Sequence, residues 1–356
     1  MNKNAQCYYE SALKLFMPIE LEPDVAGFVV NLGKKRYFFY GFGTPLNNGT
    51  SAQISRNKFF TNKVLEKAGL PVPKAAYIHI SEFEEGRLEE KIAKLSFPLV
   101  AKPLDEGKFG RDVLCNIQNL AQLNQYLSVN LPKSNFVIVE EFHGNLNSYR
   151  VLVFNYRIIG VIHRYPAHVD GDDKHTIEEL VDLTNKKRLE SSDTLGPILI
   201  DDECHIRLNE LGIDVNYIPG KGERVTLCYT SNASRGGTYA SLSKKIHKEN
   251  RKLLLRAARV LNLKLVGFDV QCQDINVPIL SSNGVIIESN DSPSVRIHEQ
   301  PLNGKSIAVT RVMVRSLIYR HPVAYLVSLY NNHRTAFCTR SALLFACISV
   351  IYHFQG

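Results

Sequence analysis

Two short apolar runs in this chain end on hard oxygen donors. Val266-Gly267-Phe268-Asp269-Val270 encloses a carboxylate, and Val285-Ile286-Ile287-Glu288-Ser289-Asn290 closes on a carboxylate and an amide. Side chains alternate faces along a strand, so Glu288 and Asn290 point one way and Ser289 the other. With Asp269 on a neighbouring strand, three oxygen ligands can converge on one cation. Magnesium suits such a set, because it takes a few carboxylates and fills its other positions with water or phosphate oxygens. The plainer reading is that Asp269 and Glu288 merely flank turns.

Two lysines offer a counterpart. Lys102 sits inside the apolar run Pro98-Leu99-Val100-Ala101-Lys102-Pro103. An unpaired ammonium is costly to bury there, so an anion must meet it: a polyphosphate or an internal acid. Lys58 falls in the first turn of a predicted helix, where the helix dipole disfavours a cation; simple solvation is the alternative. The loop containing Gly107, Lys108, Gly110 and Arg111 can fold backbone amides over phosphates, or serve as a surface turn. There is no Gly-x-x-x-x-Gly-Lys-Ser/Thr loop, no Gly-x-Gly-x-x-Gly after a strand, no nucleophile elbow and no His-Glu-x-x-His. A nucleotide that binds here binds by another device. His163, His168 and His175 stand among loop and turn residues and do not read as a metal set.

Strands and helices must position these groups. A strand pair is predicted near Gly27–Val30 and Arg36–Tyr40. A helix follows with Ser55 as N-cap, an apolar face of Phe59, Phe60, Val64 and Leu65, and a stop at Gly69 and Pro71. Phe136–Glu140 reads as a buried strand, and Tyr149–Phe154 with Arg157–His163 as a hairpin turning at Asn155-Tyr156. Between about Ala167 and Arg224 the text is polar, with short helices. Glu249–Leu263 is an amphipathic helix with Leu253, Leu254, Ala257, Ala258 and Leu261 at helical spacing. A closing helix is expected near Ile307–Tyr319.

The net charge of +8 hints at nucleic acid until it is located. From Gln300 onward there are six basic residues and no acidic one; without those six, 37 basic residues face 35 acidic ones. The body is therefore near neutral and lacks the basic, aromatic-interleaved patch that follows a phosphate backbone. Seven cysteines with no Cys-x-x-Cys pair argue against a disulfide framework and a structural zinc, and for a reducing compartment. No N-terminal signal-type segment is visible, so a cytoplasmic location is expected. The apolar run Ala342–Tyr352 is too short to span a bilayer; a buried terminal helix is expected, with peripheral membrane contact by the basic tail as the lesser alternative.

The order of these parts resembles the ATP-grasp superfamily, most closely the ATP-grasp module of cyanophycin synthetases and of bifunctional glutathione synthetases. The similarity runs from about Ser55 to Ser306. It is carried by Asn57-Lys58-x3-Asn62 with Ala68-Gly69-Leu70-Pro71-Val72-Pro73, by Phe97 to Pro103, by Val139-Glu140-Glu141-Phe142 and by Tyr149-Arg150-Val151-Leu152-Val153. Arg164 to Asp172, Lys174 to Leu180, Asn232-Ala233-Ser234-Arg235-Gly236-Gly237 and the two oxygen-bearing strands follow in order. The resemblance implies an α+β fold in which two subdomains clasp ATP. The expected parts are a small N-terminal segment at 1–54, an N-terminal subdomain at 55–139, a C-terminal subdomain at 140–320 and a basic, apolar tail at 321–356.

The resemblance also implies roles. Lys58 and Lys102 would hold ATP phosphates, with the loop from Gly107 to Gly110 closing over them. Glu140, Glu141, Phe142 and His143 would form the adenine hinge. Asp269, Glu288 and Asn290 would hold magnesium, with manganese as a substitute. Arg150 and Arg235, with Asn232, Ser234, Gly236 and Gly237, would surround the transferring phosphoryl group. Arg164, His168 and Arg296 would line the substrate pocket. The expected reaction is ATP-dependent ligation of a carboxylate to an amine through an acyl phosphate, on an amino acid or small peptide; a nucleotide-binding protein without turnover is the alternative. A homodimer is the default for such enzymes. The chain departs from the pattern at Ser148, where an acidic residue usually meets the ribose. It also lacks the Mur-ligase-like and glutamate–cysteine ligase domains of those relatives, so neither cyanophycin synthesis nor both glutathione steps are expected of it.

Overall fold

The computed structural model describes residues 1–103, 113–191, 195–242 and 244–355. The predicted glycine loop from Gly107 to Gly110 lies outside the described residues. The chain divides into two units, one of Met1–Asn48, Ser292–Gln300 and Ser306–Gly356, the other of Gly49–Asp291 with Pro301–Lys305.

The first unit opens with α1 (Lys3–Lys14), capped by the Asn2 side chain, which accepts from Asn4 N at 2.8 Å. An antiparallel meander follows: β1 (Ile19–Glu22), β2 (Gly27–Leu32) and β3 (Lys35–Tyr40). The predicted strand pair is present, and α1 and β1 add to it. Phe28 and Phe39 stack at 4.8 Å between ring centroids and are fully buried.

In the second unit the predicted helix at Ser55 is two helices, α2 (Gly49–Arg56) and α3 (Lys58–Lys67). The cap of α3 is Asn57, whose side chain accepts from Phe60 N at 2.8 Å. Ser55 instead lies buried at the end of α2, its hydroxyl 2.9 Å from that of Ser289. Phe60 faces solvent, and Leu65 with Val64 forms the packed side. Gly69 at φ +67° ends the helix as expected.

A four-stranded antiparallel sheet comes next, built from β4 (Ala75–His79), β5 (Leu99–Pro103), β6 (Leu114–Ile117) and β7 (Phe136–Glu141) in the order β4-β7-β5-β6. Helices α4 (Ile80–Glu84), α5 (Leu88–Ile92) and α6 (Leu120–Ser134) accompany it. Leu99, Ala101, Val137 and Val139 share a core with Leu123 and Leu127 of α6. Strand alternation sends Lys102, Ile138 and Glu140 to the other face.

The larger sheet has six strands in the order β14-β13-β8-β9-β12-β15. Strands β8 (Asn147–Phe154) and β9 (Arg157–Tyr165) form the predicted hairpin, with positive φ at both Asn155 and Tyr156, the signature of a two-residue primed turn. A smaller region follows: β10 (His168–Asp170), α7 (Ile177–Ser191), α8 (Asp202–Glu210) and β11 (Arg224–Thr226). It has a core of its own that includes Val169, Ile177, Leu180, Cys204, Leu208 and Val225. Helix α7 has 15 residues, longer than the polar text suggests. Strand β12 (Thr238–Leu242) leads to α9 (Lys248–Val260), then to the two antiparallel oxygen-bearing strands, β13 (Leu265–Cys272) and β14 (Val285–Asn290). Leu254, Ala257, Ala258 and Leu261 lie on one stripe and pack with Val151, Val153, Val266 and Phe268.

The chain then forms α10 (Arg296–Glu299), β15 (Asn303–Gly304), α11 (Val309–Arg320), α12 (Pro322–Asn331) and α13 (Ala336–Gln355). Within the first unit α11 docks on α1: the Tyr8 hydroxyl donates to Met313 Sδ at 3.2 Å, and the Ser11 and Thr310 hydroxyls meet at 2.7 Å. The terminal helix differs from expectation twice. It has 20 residues rather than the 11 of the apolar run, and every residue from Arg340 to His353 is exposed rather than buried.

Candidate functional site

A β-bulge decides where Glu288 points. Val285 pairs with Gln271 and Ile286 with Val270, but Glu288 pairs with Asp269, leaving Ile287 as the extra residue. In a regular ladder Glu288 would oppose Phe268 and face the apolar core. The bulge resets the alternation, so Ile286 joins Val270 in that core while Glu288 shares the polar face with Asp269. Asn290 follows on the same face opposite Gly267, its Nδ2 donating to Gly267 O at 3.4 Å. The three oxygen-bearing residues predicted from sequence are thus brought together.

Arginines complete that face. Arg150 of β8 lies opposite Asp269 in the ladder, and both are buried. Arg150 Nε donates to Asp269 Oδ1, Arg150 Nη2 to Oδ2 at 3.0 Å, and Arg164 Nη1 to Oδ2 at 3.1 Å. Burial alone would push the Asp269 carboxyl up; the two guanidiniums outweigh it and hold Asp269 below its ordinary value. Burial, with the neighbouring charge of Arg150, pushes Arg164 down. Lys58 Nζ, at the start of α3, sits 3.6 Å from Glu288 Oε1. A cleft lined by Ser55, Lys58, Asn62, Ile286 and Glu288 opens there. Three cations therefore face two carboxylates, an excess of positive charge on a face that is buried at Arg150 and Asp269 and half-exposed at Lys58 and Glu288. Such a face favours an anion that brings several oxygens.

The donor set fits magnesium. It offers two carboxylates and an amide on adjacent strands; both oxygens of the ionised Asp269 accept from guanidiniums, so magnesium would displace one of those donors. Among the described residues no cluster of three His, Cys, Asp or Glu gathers, so a cation here must take further ligands from its partner, as magnesium does from phosphates.

On the smaller sheet, Lys102 Nζ donates to Glu140 Oε2 at 2.6 Å, with both groups buried. Glu141 accepts from Lys74 Nζ at 3.1 Å and from Ser96 N at 3.0 Å. The Phe142 amide donates to Pro98 O at 2.9 Å, and its ring meets Tyr229 edge-on at 4.9 Å. His143 is half-buried; its Nε2 has no partner among the described residues, and burial pushes its pKa down. Burial raises Cys204 to about 11 and Cys228 and Cys272 to about 12, so these three thiols make poor nucleophiles.

Residues 55–193 match the family described as the RimK-like ATP-grasp domain. The chain carries an ATP-grasp domain. Cyanophycin synthetase of Crocosphaera subtropica is 37% identical over 262 residues, which cover 72% of this chain and 29% of that protein. The glutathione biosynthesis bifunctional protein of Pasteurella multocida is 29% identical over 294 residues, covering 79% of this chain and 38% of the relative. The crystal structure of a bifunctional glutathione synthetase from Pasteurella multocida aligns with a TM-score of 0.62 at 25% identity, over 90% of this chain and 44% of that one. The chain thus spans less than half the length of these relatives.

The glycine turn that follows the ATP-grasp match is held from an unexpected direction. Asn232 Oδ1 accepts from Ser234 N at 3.2 Å, and Asn232 O accepts from Gly237 N at 2.9 Å. Gly236 stands at φ +90°, and a Cβ on it would lie 2.7 Å from Ile198 Cγ1, so only glycine fits. A Cβ on Gly237 would lie 2.8 Å from Tyr165 O, which seats the turn beside the residue after Arg164. Buried Arg188 of α7 fastens the turn, donating to Gly196 O at 2.9 Å, Gly237 O at 3.0 Å and Ala233 O at 3.4 Å. Arg235 pairs with Asp201 and, at 3.3 Å, with Glu203 of α8. Glu203 also accepts from Tyr229 N at 3.0 Å and Thr230 N at 2.8 Å.

Sequence reasoning missed Arg188, Asp201 and Glu203. The signal for the acids was local: Asp201-Asp202-Glu203 reads as the start of a helix, and Asp201 is its cap. His168 sits on β10 with Nδ1 3.1 Å from Pro166 O. Arg296 belongs to the other unit, on α10, where its Nε donates to Gln300 Oε1 at 2.8 Å.

Proposed function

We propose that this chain is an ATP-dependent carboxylate–amine ligase acting on an amino acid or small peptide. The observation that carries the reading is the polar face of the large sheet, where Lys58, Arg150 and Arg164 surround Asp269, Glu288 and Asn290. A carboxylate attacks the γ-phosphate to form an acyl phosphate and ADP; an amine then attacks the acyl carbon and releases inorganic phosphate. Both steps demand alignment and neutralised charge rather than a covalent nucleophile, and the raised thiols fit that demand. Magnesium bound by Asp269, Glu288 and Asn290 would offset the phosphate charge. Arg150 stabilises the transferring phosphoryl group. Lys58 and Lys102 orient the phosphates, Lys102 by exchanging Glu140 for an anionic ligand. Glu140, Glu141, Phe142 and His143 line the adenine side. Arg235, released from Asp201 and Glu203, and the turn from Asn232 to Gly237 would meet the acyl phosphate, while Arg164 and His168 belong to substrate selection.

A phosphate-release screen with ATP, magnesium and paired amino acids or dipeptides, followed by product mass, tests this. A condensed product together with ADP is expected, lost at least about 100-fold in Glu288→Ala. A product carrying only a phosphoryl group would indicate a kinase. ATP binding with no ADP release across the panel would instead favour a nucleotide-binding protein without turnover, a reading supported by the Lys102–Glu140 pair that occupies both groups.

A further inference from the structure

Helix α13 is exposed hydrocarbon all round. Leu344, Phe345, Ile348, Ile351 and Tyr352 project from one side of the helix and Leu343 and Val350 from the opposite side, and all seven are exposed. None of Ala336–His353 is buried, so α13 is not a core helix of the described chain. Its polar residues collect towards the ends, Thr339-Arg340-Ser341 at one and His353 at the other, with Ser349 between. An amphipathic helix lying on a surface would instead divide into two faces. At about 1.5 Å per residue, the part of the helix beyond Arg340 reaches about 22 Å, deep into a hydrocarbon core about 30 Å thick without crossing all of it.

Charge selects the surface. Arg311, Arg315, Arg320, Arg334 and Arg340 are all exposed, and no acidic residue occurs from Gln300 onward. The Arg340 guanidinium lies 4.6 Å over the Tyr330 ring, a pairing suited to headgroup level, where a long cationic side chain can reach water. We propose that α13 inserts into an anionic phospholipid bilayer and anchors the chain there, with the basic residues on its N-terminal side meeting the headgroups.

Flotation of the full chain with vesicles of phosphatidylcholine, with and without phosphatidylglycerol, tests this. The chain should float with the anionic vesicles and resist extraction by alkaline carbonate. Leu344→Glu with Phe345→Glu should abolish flotation and leave the thermal melt unchanged, because both side chains are exposed. Arg334→Gln with Arg340→Gln should lower binding to anionic vesicles about fivefold per charge at low salt and change binding to neutral vesicles little. Failure of the unmodified chain to float, flotation of the glutamate variant, or release by carbonate overturns the proposal. So does a dimer that the glutamate variant dissolves without any flotation, which would make α13 a contact with a second copy.

Discussion

The sheet face around Arg150 hides charge, while helix α13 exposes hydrocarbon. Both invert the usual sorting of residues, and in both the inversion points to something outside the chain. The difference lies in how each is offset. Arg150, Arg164 and Asp269 balance one another, so the face stands without a ligand and retains a surplus of positive charge. On α13 no described residue covers Phe345 or Tyr352, so that helix needs its partner to shed apolar surface from water.

The comparison breaks most readily at Asp269. Asp269→Ala strands the buried guanidinium of Arg150 and the part-buried one of Arg164 and should cost about 3–5 kcal/mol in urea unfolding. A cost under about 1 kcal/mol would mean that the face is not held by charge. The tail predicts the opposite: its paired glutamate substitutions should not move the melt at all. Arg188→Ala comes next in size. It removes hydrogen bonds to three backbone carbonyls and should cost about 2–3 kcal/mol, with Arg188→Lys recovering only part because a point charge cannot span the fork. Loss of substrate turnover in Arg188→Ala with ATP binding intact would place the glycine turn on the acceptor side.

The smallest effect expected is a pH dependence. Burial lowers the pKa values of both His143 and His163, the latter stacked on Tyr149 at 4.6 Å and tilted against Tyr165 at 4.1 Å. The folded chain therefore binds these protons less readily than the unfolded chain. Their contribution is complete above the ordinary value of 6.5 and is lost as pH falls through it towards the lowered folded values. Urea midpoints should drop between about pH 7 and pH 5, and His163→Phe should flatten part of the slope. An unchanged slope would assign the drop to other groups.

Regular elements were the legible part. The hairpin at Asn155-Tyr156, the stripe of α9 and the two oxygen-bearing strands follow from alternation, helical spacing and turn chemistry. They lie close to their expected bounds because short-range sterics decide them. The start of α3 was misread by two residues, since Ser55 and Asn57 are both competent caps and only the contact of Ser55 with Ser289 separates them. The ion pairs of Arg235 with Asp201 and Glu203 were not legible. Those residues lie more than 30 positions apart in chain and meet only through packing of α8 against the glycine turn.

By itself the sequence determined that Asp269, Glu288 and Asn290 would lie on strands, that Glu288 and Asn290 would share a face, and that Lys102 would need an anion. These follow from the two-residue period of a strand and from the cost of burying an unpaired charge. Only the tertiary structure decided which face Glu288 takes. The bulge at Ile287 is a property of pairing with β13, and without it the same residues would turn the carboxylate into the core against Phe268. Exposure of α13 was decided in the same way: the apolar run at Ala342–Tyr352 suits a buried helix, and only the packing of the described residues leaves it uncovered.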